Sequence, residues 1–296
     1  LHARWAETLA RARALDRRDA LLFGALKNMA GGATTVVHHD PWEPAFDDGF
    51  PVRVARVRTI HSLRHEPALE AAAAAARADG GPVCIHVAEG TGADAAAEIE
   101  ALDRLGLLGP RLIAVHAVGV RPAGIERLRE AGAAVVWCPT SNAFLFGRTA
   151  PTALLRAVDV LLGTDALLTG EGTLLDELRA ARATRLLDDA RLEAAVGETA
   201  ARRLGRRPPR LEPGAPADLV CLRRPLLEAR PEDVTLVVVD GVPRLADERF
   251  GELFEWAGVP AERMRIGGTW KLVTAPLATV AARVTEEWPE CARIFA

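Results

Sequence analysis

The apolar positions of this chain change rhythm along its length. Over residues 3–30, Leu9, Leu15, Leu21, Leu22, Leu26 and Met29 recur at helical spacing among Arg, Asp and Ala, which predicts one helix. Gly31-Gly32 is a stop signal for it. Short β-branched runs follow. Ala33-Thr34-Thr35-Val36-Val37, closed by His38-His39-Asp40-Pro41, reads as a buried strand bounded by turn residues. Arg58-Thr59-Ile60 leads to His61-Ser62, and Val83-Cys84-Ile85 leads to His86-Val87-Ala88-Glu89. Leu112-Ile113-Ala114-Val115 leads to His116, and Ala134-Val135-Val136-Trp137 leads to Cys138-Pro139-Thr140-Ser141-Asn142. Val160-Leu161-Leu162 leads to Gly163-Thr164-Asp165. Helix-forming stretches over 66–78, 93–105, 122–131 and 173–187 separate most of these runs. Strand then helix, repeated, predicts β/α units and a parallel sheet.

Nearly every predicted strand is apolar and then ends in a polar residue. In a β/α barrel all strand C-termini meet at one rim, which carries the active site. An open doubly wound sheet would place a glycine-rich phosphate loop after its first strand, and no such loop follows any strand here. The pattern therefore predicts an α/β fold, a (β/α)8 TIM barrel over residues 1–205 with its first strand missing or truncated. The stretch between His39 and His61 is too short for two full units, so the third is expected as Pro51-Val52-Arg53-Val54 without a proper helix. Arg206-Arg207-Pro208-Pro209 reads as a linker. Two strands, 217–222 and 234–240, predict a small partial β-sandwich over 206–247, and 248–296 reads as a C-terminal appendage.

Composition narrows the partners. The 296 residues carry 37 basic and 40 acidic side chains, so no basic excess points to nucleic acid. No apolar run approaches the ~18–20 residues of a membrane-spanning helix. Four widely spaced cysteines form no CxxC pair, which favours a reducing cytoplasm. No signal peptide is visible. The first residue is Leu1 and not Met, so the chain is expected to begin inside a longer polypeptide.

The candidate chemistry lies in the histidines. His38, His39, His61, His86 and His116 all fall at or just after strand ends, with Glu89 and Asp165 at the same rim. Neutral imidazoles and a carboxylate are ligands that zinc and iron(II) accept. Such a metal lowers the pKa of bound water, and a carboxylate that is not a ligand can then move protons. Glu89 lies three residues beyond His86, where it can face that water while His86 binds the metal.

These segments, in this order and spacing, resemble the amidohydrolase superfamily. They look most like its branch of cytosine, S-adenosylhomocysteine and guanine deaminases and triazine hydrolases. Gly24-Ala25-Leu26 through Val37 and Pro213-Gly214-Ala215-Pro216-Ala217-Asp218-Leu219-Val220 are also similar to that branch. The resemblance spans roughly residues 20–245.

It implies that His86 is a metal ligand and Glu89 the proton shuttle. His116 would polarise the substrate or lie beside the metal. Asp165 would bind the metal and accept a proton from water. His38, His39, His61 and Asn142 would contact substrate. The family's first strand ends in His-x-His, and His2 is the candidate for the second histidine of a truncated pair. Binuclear members carry a bridging lysine on the fourth strand. The only lysines here are Lys27 and Lys271, neither of them on that strand, so one divalent metal, Zn or Fe(II), is expected.

The expected activity is hydrolysis of a non-peptide C–N bond, deamination of a ring amidine in a small molecule. Ring opening or C–Cl hydrolysis by the same residues is the alternative within the class. A non-catalytic binding protein lacking first-strand ligands is the alternative outside it. Homo-oligomerisation stays open.

Overall fold

The structure is a computed structural model that describes residues 2–296, with side chains from Glu7 onward. Two helices open the chain, α1 (His2–Ala14) and α2 (Arg17–Ala30). The single helix expected over 3–30 is thus broken. Asp16 takes an extended backbone and its carboxylate accepts the Asp19 N–H at 3.0 Å, so it caps a new helix where the apolar spacing alone suggested continuation.

Two short parallel strands follow, β1 (Thr35–Val36) and β2 (Arg53–Val54). Only a 3₁₀ turn at Pro44–Phe46 lies between them, so the third unit is abbreviated as its length required. Next come β3 (Arg58–Ser62), α3 (Leu69–Asp79), β4 (Val83–Val87), α4 (Ala93–Arg104), β5 (Leu112–His116) and α5 (Pro122–Glu130). Then follow β6 (Ala134–Trp137), α6 (Pro139–Phe146), α7 (Thr152–Ala157), β7 (Asp159–Leu162), α8 (Leu174–Thr184), α9 (Asp189–Val196) and α10 (Glu198–Arg203). Strands β3 to β7 form one parallel sheet in strict chain order. Among the described residues this order never reverses, so the sheet has none of the switch points of a doubly wound fold.

The two faces of that sheet differ. Val83, Ile85, Val87, Leu112, Ala114 and Val135 pack with the helices, including Ala73, Ile99 and Leu128. Cys84, Ile113, Val115, Ala134 and Leu161 form a separate cluster on the opposite face. Period-2 alternation produces this division, and both faces being apolar is what a helix-covered parallel sheet demands.

A second sheet collects β8 (Leu219–Leu222), β9 (Val234–Val239), β10 (Val242–Asp247), β11 (Ala261–Ile266) and β12 (Thr269–Thr274). The short helix α11 (Gly251–Trp256) separates β10 from β11, and α12 (Leu277–Glu287) follows β12. The strands are antiparallel in the order β11-β12-β10-β9-β8. The division expected at residue 247 therefore runs through one sheet: 248–296 supplies two of its strands and does not stand apart as an appendage. Leu277, Val280, Ala281 and Val284 give α12 an i, i+3, i+4, i+7 stripe that is buried with Phe23, Leu26 and Met29 of α2. Arg283 of α12 donates to the Asp19 carboxylate at 2.8 Å, tying the C-terminal helix to α2. No described helix is long and apolar enough to cross a membrane.

Candidate metal centre

The C-terminal ends of β4, β5 and β7 bring three donors together. One ligand atom from each of His86, His116 and Asp165 lies within 4.8 Å of the others. The route differs for each. His86 shares the inner face of β4 with Cys84, as alternation predicts. His116 shares its parity with Leu112 and Ala114, which face the helices. Its φ of 70° turns the chain there, and its ring stacks on His86 at 5.3 Å with planes 22° apart. Asp165, three residues beyond β7, has φ 51°. Ala88 and Ala117 are left-handed as well. Four non-glycine residues in this uncommon region, all at strand ends, mark backbone whose surroundings over-determine it.

The loops after β4 and β5 are locked to each other. Gly119 N–H donates to the Ala88 carbonyl at 2.9 Å, and a Cβ on Gly119 would sit 2.4 Å from the Gly90 carbonyl oxygen. Only glycine permits that approach. Ala88 N–H donates to the Glu98 carboxylate of α4 at 2.7 Å. Glu89 is the next residue along this pinned turn, and its Oε1 lies 3.6 Å from His116 Nε2.

Hydrogen bonds set the tautomers. His86 Nδ1 is 2.6 Å from the His61 carbonyl, which only accepts, so Nδ1 carries the proton and Nε2 keeps its lone pair. His116 Nδ1 donates to Asn142 Oδ1 at 2.8 Å, while the Asn142 amide nitrogen faces Thr149 Oγ1 at 3.4 Å. His116 Nε2 is then also a lone-pair nitrogen. It is buried without a hydrogen-bond partner, the kind of orphan that an ion explains. Asp165 Oδ2 accepts from the Ser141 hydroxyl and from Thr169 Oγ1, the latter at 2.9 Å, and lies 4.0 Å from His116 Nε2, so the carboxylate is held facing the imidazole.

The protonation states agree. Burial presses the Asp165 carboxyl upward, but His116 and the hydroxyls of Ser141 and Thr169 outweigh it and hold its pKa below the usual range. Burial pushes the His86 imidazole down, against its bond to the His61 carbonyl. Two imidazoles and a carboxylate, each oriented by a further hydrogen bond, fit a divalent zinc or iron ion.

The other predicted residues divide. His39 packs its ring 4.3 Å from that of His86 and donates from Nε2 to the Ile60 carbonyl at 3.0 Å. His61 lies at the rim, its ring 5.5 Å from that of His86. His38 turns the other way, against Phe46 at 4.9 Å and into a groove with Gly24 and Asn28 of α2. Both residues lie beyond the end of β1 and their rings diverge, so only His39 of the pair reaches the centre, and a substrate contact by His38 does not fit this geometry. Asn142, expected to line the pocket, is completely buried behind His116 and acts on it by hydrogen bonding. The expected turn at 138–142 is the start of α6, with Pro139 in its first turn. His2 opens α1, and its side chain, with its expected ligand role, lies outside the described residues.

Ser141, Thr169, Thr140, Glu177, Lys27 and Thr164 were not singled out as site residues. Ser141 was visible only as part of the Cys138–Asn142 motif. Glu177 and Lys27 sit within helices whose sequence gives no sign that they turn inward.

Burial lowers the His39 pKa to about 4, with the neighbouring His86 acting in the same direction. The unfolded imidazole titrates near 6.5, so this part of the stability is present above pH 6.5 and is lost as pH falls toward 4. Between pH 7 and 5 the wild type is expected to lose about 2 kcal/mol more than His39→Gln. Urea unfolding of both proteins at the two pH values measures the difference.

Comparisons with known proteins agree with the segments quoted above. Residues 8–244 match the amidohydrolase family. A 5'-deoxyadenosine deaminase of Methanothermobacter thermautotrophicus is 34% identical over 182 residues, 52% of this chain and 42% of that protein. An aminodeoxyfutalosine deaminase of Deinococcus radiodurans is 46% identical over 72 residues, 24% of this chain and 17% of its own length. The chain thus spans less than half the length of either curated relative. Among solved structures, a zinc-bound adenosine deaminase from Xanthomonas campestris superposes with a TM-score of 0.66 at 22% identity, covering 96% of this chain and 78% of the other. An atrazine chlorohydrolase from Arthrobacter aurescens superposes at 0.60 and 23%, covering 84% and 56%. At such identities the likeness is one of fold.

Proposed function

The chain belongs to the amidohydrolase family, and from that premise we propose that it is a metal-dependent hydrolase that deaminates a small nucleoside-like molecule. The observation that carries the reading is the convergence of His86, His116 and Asp165, with Glu89 3.6 Å from His116. The unbroken order of β3 to β7, with the parallel pair β1 and β2 before them, supports strands of a (β/α)8 barrel from its second strand onward. The expected units are that barrel to residue 205 and the β-sheet element beyond it.

His86 Nε2, His116 Nε2 and a carboxylate oxygen of Asp165 would hold one divalent ion, Zn or Fe(II), with His2 a further candidate ligand from the sequence. When bound, that ion supplies a Lewis acid and a water of lowered pKa. Glu89 takes a proton from the attacking water and gives it to the ring nitrogen of the substrate amidine. Water adds to the ring carbon, the exocyclic C–N bond breaks and ammonia leaves. Asp165, held by two hydroxyls, takes the second proton of the water, and that proton passes to the exocyclic amine, which leaves as ammonia. His39 and His61 lie at the rim beside His86, where they can orient the ring. The near balance of acidic and basic residues argues against a nucleic-acid partner, and the widely spaced cysteines favour a cytoplasmic setting.

The test is ammonia release by the zinc- or iron-loaded protein from 5'-deoxyadenosine, 5'-methylthioadenosine, adenosine and cytosine. Turnover of at least one is expected. The fold likeness to the atrazine enzyme keeps chlorohydrolysis as the second reading. Chloride release from a chlorotriazine without ammonia from any amine would favour it. Metal uptake with no turnover of either class would favour a binding protein.

A further inference from the structure

We infer that Glu177 is a positioning residue for the metal centre, acting through Thr140 to fix both His116 and Asp165. The inference rests on the ligand reading above. Glu177 projects from the first turn of α8, a helix whose N-terminus is fixed by the reciprocal Thr173–Asp176 capping box. The side chain is completely buried. Its Oε2 accepts the Thr140 backbone N–H at 3.1 Å, and its Oε1 accepts the Thr140 hydroxyl. Thr140 Oγ1 in turn accepts the Glu171 N–H at 3.2 Å, so three segments meet at one hydroxyl.

The next two residues along α6 face the centre. The Ser141 hydroxyl donates to Asp165 Oδ2, and Asn142 Oδ1 accepts from His116 Nδ1 at 2.8 Å. One turn of helix thus sets the direction of the Asp165 carboxylate and the tautomer of His116, and Glu177 anchors that turn by both of its oxygens. A second buried charge braces the other side of Asp165. Lys27 of α2 donates from Nζ to Thr164 Oγ1 at 3.0 Å, immediately before the left-handed Asp165. The Glu177 carboxylate acts on the Lys27 ammonium electrostatically, though no ion pair joins them directly among the described residues. Burial pushes the Glu177 carboxyl up to about 7, while its two bonds to Thr140 and the Lys27 charge favour the ionised form.

Groups that orient metal ligands typically change metal affinity by ~10–100-fold when removed. Glu177→Gln replaces one acceptor oxygen by a donor, and Thr140→Val removes the hydroxyl while keeping the side-chain volume. Each is expected to weaken Zn²⁺ binding by that range in a chelator competition, with the far-UV spectrum and melting temperature close to wild type. The double variant should lose less than the sum of the two single ones, because both act on the Glu177–Thr140 pair. Thr140→Ser should recover most of what Thr140→Val loses. Long-range ¹H–¹⁵N spectra of the metal-free protein should show His116 as the Nδ1–H tautomer in the wild type and a mixture in Glu177→Gln. A purely structural loss would not move that signature.

Folded Glu177→Gln and Thr140→Val proteins that bind Zn²⁺ like wild type, with His116 unchanged, overturn the inference and leave the ligand set standing. Should Glu177→Gln fail to fold, Thr140→Val carries the same comparison. Wild-type protein that binds no Zn²⁺, or whose His116→Ala variant binds it equally well, overturns the ligand reading and this inference with it.

Discussion

Glu89→Gln is expected to lower kcat by ~10²–10⁴, the usual contribution of a general acid–base group, and to leave the metal content unchanged. The amide keeps the size and most of the hydrogen bonding of the carboxylate but cannot take up and give back a proton. Glu89 suits this role because it is held near the metal donors without joining them. It is the partly exposed member of the site, its Oε1 3.6 Å from His116 Nε2. The turn beneath it is fixed from two sides, by Glu98 on the Ala88 N–H and by Gly119 on the Ala88 carbonyl. A variant with near-normal kcat would remove Glu89 from the reaction. A variant that loses its metal would make Glu89 a ligand, and the roles of Asp165 and Glu89 would have to be exchanged. Ammonia release and elemental analysis on the same preparation separate these outcomes.

His86→Ala is expected to abolish both stoichiometric metal binding and turnover. The effect is larger in kind than that of Glu89→Gln because a donor is removed from the centre itself. His86 is also the hub of the imidazole cluster, in ring contact with His39, His61 and His116. Its loss leaves a cavity among half-buried polar groups. The melting temperature of the metal-free variant shows whether the fold survives. A folded His86→Ala protein that retains one equivalent of zinc or iron would place the ion elsewhere.

The order of β and α elements was readable before any coordinates because each strand is short, apolar on both faces and ended by a polar residue. Val83 to Val87 and Leu112 to His116 appear where those runs lie. Parity alone puts His86 on the face of Cys84 but puts His116, with Leu112 and Ala114, toward the helices. The turn at φ 70° that redirects it depends on the hydrogen bonds between the β4 and β5 loops, which link residues distant in sequence. The break at Asp16 was missed for a related reason, as a helical apolar stripe does not register where a cap interrupts it.

By itself, the sequence determined the β/α alternation, the location of the functional rim and the residue types gathered on it, because these depend on period and on order along the chain. Only the tertiary structure decided which polar residues of that rim cooperate. His38 and His39 are adjacent, yet one faces Phe46 and the other His86. Asn142 became a support for His116, not a wall of the pocket. Glu177 and Lys27 lie 150 positions apart, yet each holds a Thr beside the ligand set. Lys27 lies on α2 and not on the strand where a bridging lysine is expected. Side-chain periodicity is a local property, whereas hydrogen-bond partnership and burial are set by the packing of whole helices against the sheet. His86 and Asp165 could therefore be proposed as donors along the chain, but the place of His116 beside them and the groups that orient all three could not.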